Sequence, residues 1–197
     1  MKSVRITIDP SDLALEIISI VVAILLALSV NYLGGQVKTY LDVRNALAAI
    51  SAEMAGNQAT IGRMHPHHLT KCAVLQTLAR RGRGHKITYT AYQNTLDQVL
   101  PFTPPPLEST AWNLAETSNV SANFNYATRA DIARVYVQQE AFNRLADELA
   151  VDFRPLVFTR DADFFLVARN ASLDCTYVTS GEDRLVAVYT KEIANLR

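Results

Sequence analysis

The chain has 197 residues, 49% of them hydrophobic, and its 19 Lys and Arg balance its 19 Asp and Glu. This composition can bury a core and excludes a disordered tail. The basic residues do not collect on one predicted element, which argues against a nucleic-acid partner. Roughly 160 residues behind an N-terminal apolar segment leave room for one soluble domain with a modest core.

The N-terminal region predicts a membrane anchor. Residues 1–12 form a short tail with a helix cap, and residues 13–33 form the transmembrane helix. No charged residue occurs from Ile17 to Val37. With its flanks, this stretch is long enough to cross a hydrocarbon core of about 30 Å at about 1.5 Å per residue. The lipid bilayer is therefore the first predicted partner.

A cleavable signal peptide is the alternative interpretation of this segment. Its n-region should be positively charged, yet Asp9, Asp12 and Glu16 offset the basic residues there. An uncleaved anchor is therefore favoured. Basic residues flank both ends of the segment, so the positive-inside rule does not choose an orientation. The short tail favours the N-terminus inside and the domain outside, which in a bacterium is the periplasmic side of the inner membrane.

Small or short polar residues recur every fourth position along the anchor. Such a ridge allows a second helix to approach closely, as a second copy or as a membrane partner protein. Small residues are also ordinary in membrane helices, which is the alternative explanation. The predicted helix-association residues are Ser19, Ala23, Ala27, Asn31 and Gly35.

Residues 34–197 predict a helical soluble domain. Its first helix, over 40–64, carries apolar residues at alternating spacings of three and four, with Asn57 in the one polar slot. The flanks of this seam are rich in Ala, which favours packing within a bundle over an independent coiled coil. The seam residues are Tyr40, Val43, Leu47, Ile50, Met54, Ile61 and Met64.

Further helices are predicted along the rest of the chain. Pro66 should start a second helix that reaches Arg81, with Leu69, Cys72, Leu75 and Leu78 on one face. Short helices follow over 90–100 and around Trp112. Thr128 and Asp131 should open a longer helix to Ala150, and Ser180 and Asp183 should cap the last helix. Only 87–92 and 175–179 look like strands. The predicted class is all-α, a single N-terminal transmembrane helix continuing into a helical bundle.

Several stretches resemble a loose group of uncharacterised bacterial single-span membrane proteins with an N-terminal anchor and a helical C-terminal domain. The resemblance implies an anchor and a bundle, but no activity or catalytic residue. The resemblance covers most of the chain. One difference is Tyr32, which stands where such proteins commonly carry Trp after the anchor. The residues that carry it are Glu16, Ser19-Ile20, Ala23 to Leu28, Asn31, Leu47 to Asn57, Thr110-Ala111-Trp112 and Arg134-Val135-Tyr136.

Three groups of residues are candidates for chemistry. His65, His67 and His68 surround Pro66 and are weak metal-ligand candidates, because a metal site also needs a carboxylate or thiolate. Arg80, Arg81, Arg83 and Lys86 could contact an anion, or form a solvated loop at a helix C-terminus. Cys72 and Cys175 would pair outside the cytoplasm and remain buried thiols inside it.

The sequence predicts a membrane-anchored helical domain that acts through protein or ligand contacts, in an interaction or scaffold role. The alternative is a membrane-tethered, metal-dependent hydrolase-like enzyme that uses the histidine cluster with an acidic residue. No phosphate-binding loop, nucleophile elbow or dinucleotide motif is present in the sequence. An enzyme is therefore disfavoured, and no cofactor, catalytic residue or firm metal ligand is assigned.

Overall fold

The computed structural model describes residues 10–82, 94–95, 99, 102, 104–152 and 164–196. Its helices are α1 (Pro10–Gly82), α2 (Thr110–Thr117), a 3-10 helix (Val120–Asn123), α3 (Tyr126–Asp152) and α4 (Phe164–Asn195). The all-α prediction is confirmed for these residues. The strand predicted over 175–179 is wrong, because that segment lies inside α4. The segment 87–92 lies outside the described residues.

The chain divides into two compact units, Met1–Asn45 and Ala46–Arg197. In the first unit, the helical side chains from Ile18 to Lys38 are exposed. Within the described ranges, one helix, α1, has a stretch that is long and apolar enough to cross a membrane, as a signal sequence near the N-terminus also would. The exposed large hydrophobic residues of this stretch are Ile18, Ile20, Val21, Val22, Ile24, Leu25, Leu26, Leu28, Val30, Tyr32, Leu33 and Val37.

In the second unit, the C-terminal part of α1 runs antiparallel to α4. Gln58 Nε2 donates to Thr190 Oγ1 at 2.7 Å. Further along α1, Cys72 is bonded to Cys175, and their Cα atoms lie 5.5 Å apart. Residue numbers therefore rise along α1 as they fall along α4.

Helix α3 completes the bundle, parallel to α1 and antiparallel to α4. The Tyr136 hydroxyl donates to Glu53 at 2.6 Å, and the next contact along both helices joins Asn57 to Gln139. Against α4, the ring of Phe142 packs on Gly181 so closely that an added Cβ would lie 2.9 Å from it. Among the described residues, α1, α3 and α4 thus pack side by side around the core of this unit, to which α2 adds Trp112 and Ala115.

The predicted seam is buried within the second unit at Ile50, Met54, Asn57 and Ile61, whereas Tyr40 of the first unit is 65% exposed. The break predicted at Pro66 is wrong, because α1 passes through this residue. Pro66 lies on an exposed face, where water can hydrate the carbonyl that loses its backbone partner. Core packing on both sides of Pro66 then holds the helix together.

Two predicted helix starts are also corrected. Helix α3 begins at Tyr126, and Asn125 Oδ1 accepts the Thr128 N–H at 2.8 Å, so the cap is Asn125. Ser180 and Asp183 lie in the interior of α4 and cap nothing. Both signals were local patterns of polar residues, and packing against neighbouring helices overrides such patterns.

Candidate functional site: a buried glutamate between two histidines

A buried carboxylate lies between α1 and α4. Glu182 of α4 is 0% exposed and accepts from two histidines of α1. His68 Nδ1 lies 2.6 Å from Oε1, and His65 Nδ1 lies 2.8 Å from Oε2. His65 and His68 are three residues apart, so they share one helical face. Both oxygens of the buried carboxylate therefore have a hydrogen-bond partner.

The second nitrogen of His65 also faces a carboxylate. Nε2 lies 3.4 Å from Oδ1 of Asp183, whose side chain is 74% exposed. A neutral imidazole carries one N–H, whereas the imidazolium donates from both nitrogens. Since carboxylates only accept, both nitrogens of His65 lie where an N–H could be donated, one toward Glu182 and one toward Asp183.

The surroundings of the cluster are apolar or covalently fixed. The rings of His68 and Phe102 have centroids 4.7 Å apart. One helical turn beyond His68, the buried Cys72 to Cys175 bond joins the same two helices. The disulfide fixes the distance between α1 and α4 beside the cluster, and the Phe102 ring packs on the ring of His68.

The histidine cluster of the sequence is divided by the fold. His65 and His68 meet Glu182, whereas His67 points to the exposed side of α1. Among the described residues, no group of three or more His, Cys, Asp or Glu is placed to hold a metal ion. Sequence patterns could not identify Glu182 as the partner of these histidines, because 114 residues separate it from His68.

A second polar cluster lies around Asn57, which is buried on α1 eleven residues before His68. Its amide donates to the Glu108 carbonyl at 2.8 Å and accepts the Glu108 N–H at 2.9 Å. Gln139 Nε2 donates to the same carbonyl, and Gln139 Oε1 accepts from the Tyr189 hydroxyl at 2.6 Å. No buried side-chain nitrogen or oxygen in the described part of the chain lacks a hydrogen-bond partner. The polar slot predicted at position 57 thus joins three segments of the chain.

Glu53, one turn earlier on α1, also joins α1 to other segments of the chain through hydrogen bonds. Its Oε2 accepts the Ala111 N–H at 2.7 Å in the first turn of α2, where Ser109 makes no side-chain cap. Its Oε1 accepts the Tyr136 hydroxyl. Burial and this carboxylate raise the pKa of Tyr136 well above its ordinary value of 10.0. Burial likewise raises the pKa of Tyr189 above that value. Both phenols are therefore held neutral.

The remaining sequence candidates are not brought into either cluster. Arg80 is exposed and donates to the Gln76 carbonyl at 3.3 Å. Arg83, Lys86 and the Arg81 side chain lie outside the described residues. The ridge positions from Ser19 to Gly35 are exposed on the first unit, and their role in helix association stays a prediction.

No family model, curated protein or solved structure matches this chain.

The two polar clusters are distinct in what they can do chemically. The cluster on Glu182 combines a carboxylate with ionisable imidazoles, whereas the cluster on Asn57 contains amides and a phenol that is held neutral.

Proposed function

We propose that this chain is a single-pass protein of the bacterial inner membrane whose helical domain acts through protein or ligand contacts. The observation that carries the proposal is the exposed apolar surface from Ile18 to Val37. A helix that is apolar on all sides is unfavourable in water and suits a lipid environment. The resemblance to bacterial single-span proteins supports the same assignment.

The bond between Cys72 and Cys175 supports a periplasmic position for the domain. Disulfides persist in oxidising compartments such as the periplasm and are rare in the cytosol. The disulfide thus supports the orientation that we propose, which the evenly distributed flanking charges leave open.

A binding role is favoured because the polar groups of the bundle are engaged with one another. Both Glu182 oxygens accept from histidines, and both His65 nitrogens face carboxylates. A general base or metal ligand needs a nitrogen directed at the reacting group. The seam of α1 is buried in its own bundle at Ile50, Met54 and Ile61, and we propose the exposed ridge at residues 19–35 as the surface for self-association.

The anchor and its orientation are tested in one set of bacterial membranes. A full-length C-terminal alkaline phosphatase fusion should be active and should resist extraction by alkaline carbonate. Leu25→Lys should weaken membrane retention, whereas the matched Leu25→Ala should not, because a central lysine costs about 3 kcal/mol in a bilayer. Intact mass then separates an anchor from a cleaved signal peptide. Inactive fusions, extraction of the wild type or a shortened N-terminus would contradict the proposal.

A metal-dependent hydrolase is the second candidate, favoured by the convergence of His65 and His68 on one carboxylate. Calorimetric titration of the full chain with zinc measures the metal binding that this candidate requires. If the hydrolase interpretation is right, wild type should bind zinc with a stoichiometry near one, and His68→Gln should abolish binding. Equal heats for wild type and variant would reject this candidate and leave the binding role.

A further inference from the structure

A groove of about 520 Å³ lies between α3 and α4, on the second unit. This volume falls within the range of small-molecule sites, about 300–1,000 Å³. Its floor contains Phe142 and Leu185, which are 5% and 2% exposed. The absence of a side chain at Gly181 lets the Phe142 ring lie against the backbone of α4. The groove is therefore part of the packing of the bundle.

The two ends of the groove differ in polarity. Because α3 and α4 are antiparallel, Gln138 and Arg184 lie on one side of Phe142, and Leu145 and Tyr177 lie on the other. Arg184 and Tyr177 are seven residues apart on α4, which corresponds to about 10 Å. The groove thus has one cationic end, an apolar floor and an apolar or aromatic far end.

The charge of the groove is not neutralised locally. No Asp or Glu is among its lining residues. Arg184 is exposed and forms no ion pair within the described part of the chain. A guanidinium beside an apolar surface recognises a carboxylate or phosphate through charge-assisted, often bidentate hydrogen bonds. The cation and the floor together select a ligand that is anionic at one end only.

We propose that this groove binds a single-chain anionic amphiphile. Its carboxylate or phosphate head pairs with Arg184, and its apolar body lies over Phe142 toward Tyr177. The proposal rests on the binding role proposed above and names its ligand class. It does not depend on the anchor, because every lining residue belongs to the second unit.

Photoaffinity labelling tests the proposal on the full chain in phosphatidylcholine nanodiscs. The probe is decanoic acid with a terminal diazirine, and mass spectrometry maps the labelled peptides. We expect label in the segments around Leu145 and Tyr177, competed by decanoate but not by decyltrimethylammonium. Lysophosphatidic acid is the second competitor. If it competes with the probe more strongly than decanoate does, the preferred ligand is a membrane lipid with an anionic head group.

Two variants and a control make the test specific. Arg184→Gln should lower labelling about tenfold, the loss expected for one charge-assisted hydrogen bond. Ala141→Trp should also lower it, because Ala141 lines the groove and is exposed. Arg169→Gln removes an exposed arginine of the same helix outside the groove and should leave labelling unchanged. Circular dichroism of each variant establishes that the bundle is folded.

Several results would overturn the proposal. Labelling confined to residues 18–37 would show only that the probe enters the bilayer. Equal labelling of wild type and Arg184→Gln, or equal competition by the cationic amphiphile, would exclude recognition of an anion. Crosslinks between two copies through Tyr177 would assign the groove to self-association. Carbonate extraction of the same membranes reports on the anchor separately, so the two failures remain distinguishable.

Discussion

Glu182 of α4 accepts a hydrogen bond from His68 of α1 at 2.6 Å, although their side chains are only 0% and 3% exposed. A buried carboxylate without partners would be strongly unfavourable. His68 and His65 therefore make its burial acceptable, and they require α1 and α4 to keep one register. The same two helices are joined by the bond between Cys72 and Cys175, one helical turn beyond His68 on α1.

Glu182→Gln should destabilise the second unit substantially. The amide keeps the size of the side chain but removes the charge that both histidines face, and breaking a buried pair costs about 3 kcal/mol or more. Thermal unfolding of the full chain in nanodiscs, followed by circular dichroism, measures the loss. The matched control is Asp183→Asn, an adjacent and 74% exposed carboxylate, which should cost less than about 1 kcal/mol. Equal effects of the two substitutions would contradict the assigned role of Glu182.

Removal of the disulfide should destabilise the same interface. The bond closes a loop with a sequence separation of 103 residues, and such a bond stabilises by about 2–4 kcal/mol, mainly by restricting the unfolded chain. We expect the Cys72→Ala, Cys175→Ala variant to unfold at a lower temperature than wild type. Reductant should lower the unfolding temperature of wild type and leave the variant unchanged. A wild type that migrates identically on reducing and non-reducing gels would refute the bond.

Loss of the Asn57 amide should be costly because three segments of the chain depend on it. Asn57→Ala removes the partner of the partly buried Glu108 N–H and one partner of the buried Gln139 amide, and a buried polar group left unsatisfied costs about 1–3 kcal/mol. The control is Gln58→Ala, which removes an exposed bond between helices at the next residue and should cost less than about 0.5 kcal/mol. Chemical denaturation of the full chain measures both changes. A cost at Gln58 equal to that at Asn57 would contradict the distinction.

The hydrophobic spacing of the sequence predicts one part of the packing of the second unit, the buried face of α1, and misses the partners of that face. The spacing of Ile50, Met54 and Ile61 predicts the buried face of α1, and Asn57 stands out as its polar member. The partners Glu108, Gln139 and Glu182 lie 51, 82 and 114 residues from the α1 side chains they meet. Hydrophobic spacing reports on one helix at a time. It therefore cannot show which helices meet or which of their polar residues pair.

Proline and capping signals fail for a related reason. Pro66 normally marks a helix boundary, and Asp183 follows Ser180 at the spacing of a capping box. In the structure both residues lie inside long helices. The flanking residues Ile61, Cys72 and Leu185 are buried, and their packing outweighs the local preference. Tertiary contacts of this kind are not encoded in a short window of sequence.

Alkaline pH should destabilise the second unit through Tyr136 and Tyr189. Their folded-state pKa values are raised above the ordinary value of 10.0 because both phenols are buried, and Glu53 adds to the rise at Tyr136. The neutral phenol is thus favoured in the folded state, and the resulting stability is fully present below pH 10. Above that pH the unfolded chain releases these protons while the folded chain retains them. Stability should then fall by at most about 1.4 kcal/mol per pH unit for each tyrosine.

Denaturant unfolding of the full chain between about pH 8 and 11 measures this slope. The Tyr136→Phe, Tyr189→Phe variant should show a shallower decline above pH 10, although it loses two hydrogen bonds and starts from a lower stability. Tyr126→Phe is the matched control, since the Tyr126 side chain is 88% exposed, and its decline should follow that of wild type. The sign of the effect identifies the tyrosines as its source. A phenol that is held neutral in the folded state can only lower the free energy of unfolding as the pH rises above 10. A slope above pH 10 that is the same in wild type and in the double variant would show that other groups control alkaline unfolding.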